Sequence, residues 1–311
     1  MGNTTSAATA PHLGYGKLII FGEHFVVHNQ RPSLVGALEA YTTCEVELYK
    51  QDSEGVQWSC GLSVIDNRVA VPGYKDDKQD EMLESVRLVL ACFDIDTRKQ
   101  GVKITFAGEL CCVSGVGASA ASCVALARAL NSKLGRNMTE HEINACAFEG
   151  EKGYHGTPSG IDNTCSTFGG LLKFQRSAKE GGTGLTSSTT EVVGDVRRKK
   201  DSDPDWYLGL QTKYDALYER GLAAILRGDA KEIGQCCNEN QVLLRDLTVS
   251  CPELEHLITV ALESGGATGA KLAGTGRGGL MFAICETEQD RDVVFEALSK
   301  VAPQCWKTKF Q

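Results

Sequence analysis

The chain has no run of eighteen apolar residues, no Cys-x-x-Cys pair and no excess of positive charge, and each absence removes a class of protein. Without a long apolar run no α-helix of the chain crosses a bilayer. The thirteen cysteines are odd in number and scattered, with adjacent pairs at Cys111-Cys112 and Cys236-Cys237. They read as reduced thiols of an intracellular protein, not as a disulfide framework or a zinc site. A net charge of −8 offers no basic field to a phosphate backbone, which argues against a nucleic-acid partner. The familiar phosphate loops are also missing. Residues 117–119 read Gly-Ala-Ser, with alanine where a P-loop needs lysine. Ala120 stands where a Rossmann fingerprint needs its third glycine, and the strand-like residues 102–106 lie too far upstream. Neither His-Arg-Asp nor Asp-Phe-Gly occurs, which excludes a protein kinase.

What remains is 311 residues, 42% hydrophobic and 23% charged, a length that suits two α/β domains of about 150 residues each. The most informative stretch is 115–121, Gly-Val-Gly-Ala-Ser-Ala-Ala, which leads into residues that favour helix. Small residues at a helix start leave free N–H groups and the positive end of the dipole facing outward, an anion site suited to phosphate. The same residues would also permit a close helix crossing, and only the rest of the chain separates the two readings. Three further segments accompany it. Residues 17–27 form an apolar strand entered by Lys17 and left through Gly22, Glu23 and His24. Residues 158–163 read Pro-Ser-Gly-Ile-Asp-Asn, and residues 269–279, the third glycine segment after 17–27 and 115–121, precede the strand-like 280–285.

These four segments, in this order and across nearly the whole chain, resemble the signature set of the GHMP kinases. The resemblance implies an α+β fold with a ribosomal-S5-like N-terminal, nucleotide-binding domain (1–190) and a ferredoxin-like C-terminal domain (191–311), the active site lying between them. It implies ATP as phosphoryl donor and Mg²⁺ as cofactor. Gly-Glu-His followed by x-Val-Val is most similar to the members that phosphorylate the primary hydroxyl of (R)-mevalonate to 5-phosphomevalonate, on the route to isoprenoids and sterols. Another small-molecule kinase of the family, acting on phosphomevalonate or a sugar, and a non-catalytic ligand sensor are the alternatives.

Carried over residue by residue, the resemblance gives Gly115, Val116, Gly117, Ala118, Ser119 and Ala120 to the phosphates, and Ser119 and Glu151 to Mg²⁺. A few hard oxygens completed by phosphate and water suit that ion. Asp162 is implied to contact the attacking hydroxyl as base, with Lys17 as its partner steadying the transferring group. Glu23, His24 and Thr212 are implied to meet the substrate together with Lys17 and Asp162, and Lys213 to help neutralise its carboxylate. Taken alone, each has a plainer reading: Ser119 as a helix cap, Glu151 as a solvated helix end, Asp162 as a turn former, Lys17 as an exposed strand lysine. The sequence departs from the pattern at Tyr15, usually proline, at Ala118, which replaces a serine, and at Arg277, which interrupts the last glycine run. Arg277 either reaches the phosphates or the substrate carboxylate, or turns outward.

Strands are expected at 17–27 and 40–50, and helices at 80–93 and from the glycine turn to 134. A Thr139/Glu142 capping box starts a helix that runs to about 152 and delivers Glu151. Residues 177–205, rich in Gly, Ser and Thr and containing Arg197-Arg198-Lys199-Lys200, read as a surface hairpin or flexible insertion. Beyond it a strand at 206–212, helices at 215–226, 230–247 and 252–264, a strand at 280–285, a helix at 288–301 capped by Thr287 and a last strand at 304–309 are expected. The opening Met-Gly-Asn-Thr-Thr-Ser meets the minimal pattern for myristoylation at Gly2, though a short Ser/Thr/Ala leader is preferred. One lysine before Glu23 is too little for a transit peptide. The reading is a cytoplasmic monomer or homodimer, a peroxisome-related organelle being the alternative.

Overall fold

The fold was obtained as a computed structural model, which describes residues 12–28, 31–49, 61–175 and 190–310. The N-terminal part runs β1 (Leu13–Phe21), α1 (Phe25–His28), β2 (Ser33–Tyr49), β3 (Gly61–Asp66), α2 (Tyr74–Asp77), α3 (Gln79–Ala91), β4 (Gly101–Ala107), α4 (Ala118–Leu134), α5 (Glu140–His155), α6 (Ile161–Phe168) and β5 (Leu171–Phe174). The remainder is α7 (Thr190–Ser202), α8 (Pro204–Arg227), α9 (Ala230–Asp246), α10 (Pro252–Glu263), β6 (Gly269–Ala273), β7 (Leu280–Ile284) and α11 (Glu288–Leu298).

Five strands form one sheet in the order β1-β2-β4-β3, with β5 added to β2; β3 and β4 are parallel and the other pairs antiparallel. Helices α3, α4 and α5 close one core against β2 and β4 through residues such as Val89, Leu126, Ile104 and Ala147. Helix α4 also packs closely on β1: a Cβ at Gly14 would lie 2.1 Å from the carbonyl oxygen of Ala121. A second core joins the tip of β1, through Ile20 and Phe21, to α8 and α9 through Tyr214, Leu217 and Leu244. Lys17 and the loop before α4 lie beside this junction, because β1 contributes to both halves. Strands β6 and β7 pair antiparallel as a separate two-stranded sheet.

The Thr139 capping box forms as expected: the Thr139 amide donates to Glu142 Oε2 at 2.7 Å and the Glu142 amide to Thr139 Oγ1 at 3.3 Å. Thr287 caps α11 in the same way. Four expectations need correction. The first strand ends at Phe21, because Gly22 turns the chain at φ +120° into the short α1. The expected strand at 206–212 is the start of the 24-residue α8. Asp203 caps that helix by accepting from the Trp206 amide, Pro204 opens it, and the buried residues Tyr207, Leu210, Tyr214, Leu217 and Tyr218 recur at helical spacing. Of the expected insertion, residues 177–189 lie outside the described residues, and 190–202 form α7. Its basic run is engaged with the fold: Lys199 Nζ lies 4.1 Å from the Trp206 ring centroid and Lys200 Nζ donates to the His28 carbonyl at 3.2 Å. Residues 304–309 form no strand; one bridge pairs Leu38 with Phe310, whose ring fills the space left by Gly36.

Candidate active site

Lys17 lies in the middle of β1 and its amide donates to the Val116 carbonyl at 2.8 Å, so strand and glycine loop are joined through backbone. The loop enters α4 at Gly117, which caps the helix with φ +69° and has no side chain to close it. The amides of Ala118, Ser119 and Ala120 therefore have no intrahelical acceptor, whereas the Ala121 amide already bonds to Gly117 O at 2.9 Å. Those amides and the positive end of a 17-residue helix present free donors, an arrangement that suits an anion. Gly117 is required for a further reason: a Cβ there would stand 2.7 Å from Lys17 Cγ and 3.6 Å from Asp162 Oδ1.

Asp162 sits in the first turn of α6, behind Gly160 at φ +85°. Its Oδ1 lies 2.7 Å from Lys17 Nζ; the lysine side chain is 5% exposed and the carboxylate 26%. The pair is thus open on the carboxylate side alone. Glu151, delivered by α5, is almost wholly buried, and neither of its oxygens makes a well-formed hydrogen bond. Burial, with the Asp162 charge added, pushes its carboxyl up to about 8, against the pull of Ser119 and Lys17. His155 Nε2 is 3.7 Å from Glu151 Oε2, but burial holds that imidazole below its ordinary value, so the contact is no ion pair at neutral pH. Two orphaned carboxylate oxygens near Ser119 are the kind of donor set a hard cation completes.

Glu23 and His24 follow Gly22, and both are buried. Glu23 Oε1 meets Lys271 Nζ at 2.5 Å, and Glu23 Oε2 has no partner among the described residues. Burial raises the Glu23 carboxyl, with Lys271 and then Lys17 opposing. His24, in the left-handed region at φ +64°, bonds through Nε2 to the Thr275 carbonyl at 2.9 Å. The third glycine segment thereby touches the first, and it also meets the phosphate loop: a Cβ at Gly274 would lie 3.3 Å from Gly115 Cα. A surface cavity of about 310 Å³ lined by Lys231, Gly265, Thr268 and Asp290 shares none of these residues.

His24 stacks on His28 with ring centroids 6.2 Å apart, and burial lowers the two to about 4 and about 3. Folded pKa values below the unfolded 6.5 mean that the unfolded chain binds more protons in this window. The stability these histidines contribute is present above about pH 6.5 and is lost as pH falls toward 4. Glu23 and Glu151, raised instead, act in the opposite sense over part of the range, so the comparison must be differential. Between pH 7 and 5.5, His28→Phe is expected to gain about 1 kcal/mol over the unaltered protein. Denaturant unfolding of both proteins at each pH checks this; parallel pH dependences would contradict it.

Two family models match this chain: the one described as GHMP kinases N terminal domain over residues 82–170, and GHMP kinases C terminal over residues 222–304. The mevalonate kinase of Thermococcus sibiricus is 30% identical, covering 91% of this chain and 90% of its own length. The chain belongs to the GHMP kinases, in the mevalonate kinase family. Among solved members of that family, the L. major mevalonate kinase in complex with R-mevalonate is 38% identical, with a TM-score of 0.86 over 99% of this chain and 97% of that one. The Methanococcus jannaschii mevalonate kinase, at 18% identity and a TM-score of 0.74, shares the fold.

Of the residues the GHMP resemblance carried over, Lys17, Asp162, Ser119, Glu151 and the loop 115–120 come together, with Glu23 and His24 beside them. Thr212 does not join them. It lies exposed on α8, its hydroxyl donating to the Leu208 carbonyl at 2.9 Å, because the segment read as a strand end is helix. Lys213 is exposed on the same helix. Arg277 turns to α7, pairing with Asp195 and donating to the Thr248 carbonyl. Two residues went unread. Lys271 lies within residues 269–279, where a lysine inside a short apolar strand is the available signal. Arg68 is buried and gave none; it pairs with Asp66 at 2.7 Å and donates to Thr42 Oγ1 and to the Ala118 carbonyl at the start of α4. Among the described residues no helix is long and apolar enough to cross a membrane.

Proposed function

We propose that the chain transfers the γ-phosphoryl group of ATP to the primary hydroxyl of (R)-mevalonate. The observation that carries this reading is the Lys17–Asp162 pair, 2.7 Å apart beside the open N-terminus of α4. It sits in a chain 38% identical to a kinase solved with R-mevalonate. In this reading the first-turn amides of α4 hold the triphosphate. Asp162 takes the proton of the substrate hydroxyl as its oxygen attacks the γ-phosphorus, and the bond to the bridging oxygen breaks to release ADP. Lys17 offsets the charge that gathers on the transferring group.

Ser119 and Glu151 are the residues that would hold Mg²⁺, and the two unpartnered, buried oxygens of Glu151 fit that use. The ion, when bound, neutralises charge on the phosphate oxygens. Glu151→Gln is expected to raise the Mg²⁺ concentration needed for half-maximal rate about tenfold, with partial recovery at excess Mg²⁺, since an amide oxygen is the poorer hard ligand. A magnesium titration at saturating ATP checks it, and an unchanged curve would remove Glu151 from the ion.

The division at 190/191 belongs to the same proposal, as do a cytoplasmic location and a monomeric or homodimeric state. An ADP-release assay with mevalonate, phosphomevalonate, galactose and homoserine tests the substrate. Turnover on mevalonate alone is expected. Turnover on another acceptor would move the chain elsewhere in the family, and none on all four would favour a ligand sensor.

A further inference from the structure

Lys271 is the one charged residue of β6, a strand buried along all five of its residues, and the lysine itself is 0% exposed. Its ammonium is held from three sides: Glu23 Oε1 at 2.5 Å, the Leu272 carbonyl at 2.9 Å and the face of Phe282 at 5.2 Å from the centroid. Burying such a pair brings little stability over an apolar side chain of the same volume, because desolvation consumes the Coulombic gain. The pair therefore calls for a purpose other than stability. Glu23 supplies one: among the described residues only one of its oxygens has a partner, and the other is buried without a donor. An acceptor left unsatisfied in this way costs free energy unless a ligand meets it. The Lys17 charge is felt at Glu23, which places the carboxylate on the side of the Lys17–Asp162 pair.

We propose that Lys271 is a positioning residue for the acceptor substrate: by holding Glu23 through Oε1 it presents Oε2 to a substrate hydroxyl. It acts from the third glycine segment on the first, and the His24–Thr275 bond fastens the same turn at a second point. The turn that meets the acceptor thus hangs on the segment whose Gly274 abuts the phosphate loop.

The proposal rests on the mevalonate reading, so wild-type turnover of mevalonate is measured first; its absence overturns both. With turnover established, steady-state constants are compared for Lys271→Met, Glu23→Gln and the double variant. Lys271→Met is expected to raise KM for mevalonate at least about tenfold, with kcat and KM for ATP within about threefold, the split expected of lost substrate binding. The double variant is expected to be no worse than Glu23→Gln alone, since both changes remove one interaction. A mevalonate KM within about twofold of wild type in Lys271→Met, or an ATP KM that rises as much, overturns the positioning role alone. If Lys271→Met does not fold, the double variant, which leaves no unpaired buried charge, decides. A KM about tenfold above that of Glu23→Gln would then overturn the proposal, and equality would support it.

Discussion

Asp162→Asn is expected to lower kcat by at least about a hundredfold while leaving ATP affinity within about twofold, because a positioned base contributes that much to a proton transfer. Asparagine keeps the size and place of the side chain in the first turn of α6 but cannot take the hydroxyl proton. In the proposed arrangement the triphosphate meets the amides of α4, not Asp162, so nucleotide binding serves as the control for folding. Turnover within about threefold of the unaltered enzyme would remove Asp162 from the chemistry.

Lys17→Met should cost about as much, on the order of 10²–10³ in kcat, the scale found when one preorganised group facing developing charge is removed. The loss has two parts. The ammonium no longer faces the transferring phosphoryl group, and Asp162 loses its 2.7 Å partner. Lys17→Arg is not expected to restore the rate, since the planar fork is broader than an ammonium and Lys17 Cγ already lies where even a Cβ at position 117 would collide with it. Full recovery in Lys17→Arg would mean that positive charge alone suffices. Near-normal turnover in Lys17→Met would show that the pair is structural.

The chemistry was legible where it depends on backbone. Gly115 and Gly117 told of a glycine turn opening a helix with free amides, and the structure has that turn, at φ +103° and +69°. The Thr139 capping box predicted the helix that carries Glu151. What local sequence could not reveal were the contacts between distant segments, such as Lys271 with Glu23 or Arg68 under α4, which no spacing encodes. The misreading of Trp206 to Thr212 has a local cause. Trp-Tyr-Leu favours a strand, but the Asp203–Pro204 start and the apolar spacing that continues to Tyr218 win, since a long amphipathic face buries more than a short strand would. That one error carried Thr212 into a site it does not reach, and it also split α8 in two.

The measurement that bears most directly on the account is phosphorus NMR of the enzyme incubated with ATP, Mg²⁺ and (R)-mevalonate. One new phosphomonoester signal is expected, coupled to the protons of the terminal methylene and equal in amount to the ADP formed. Inorganic phosphate as the sole new species, or ester formation at the tertiary hydroxyl, would contradict it.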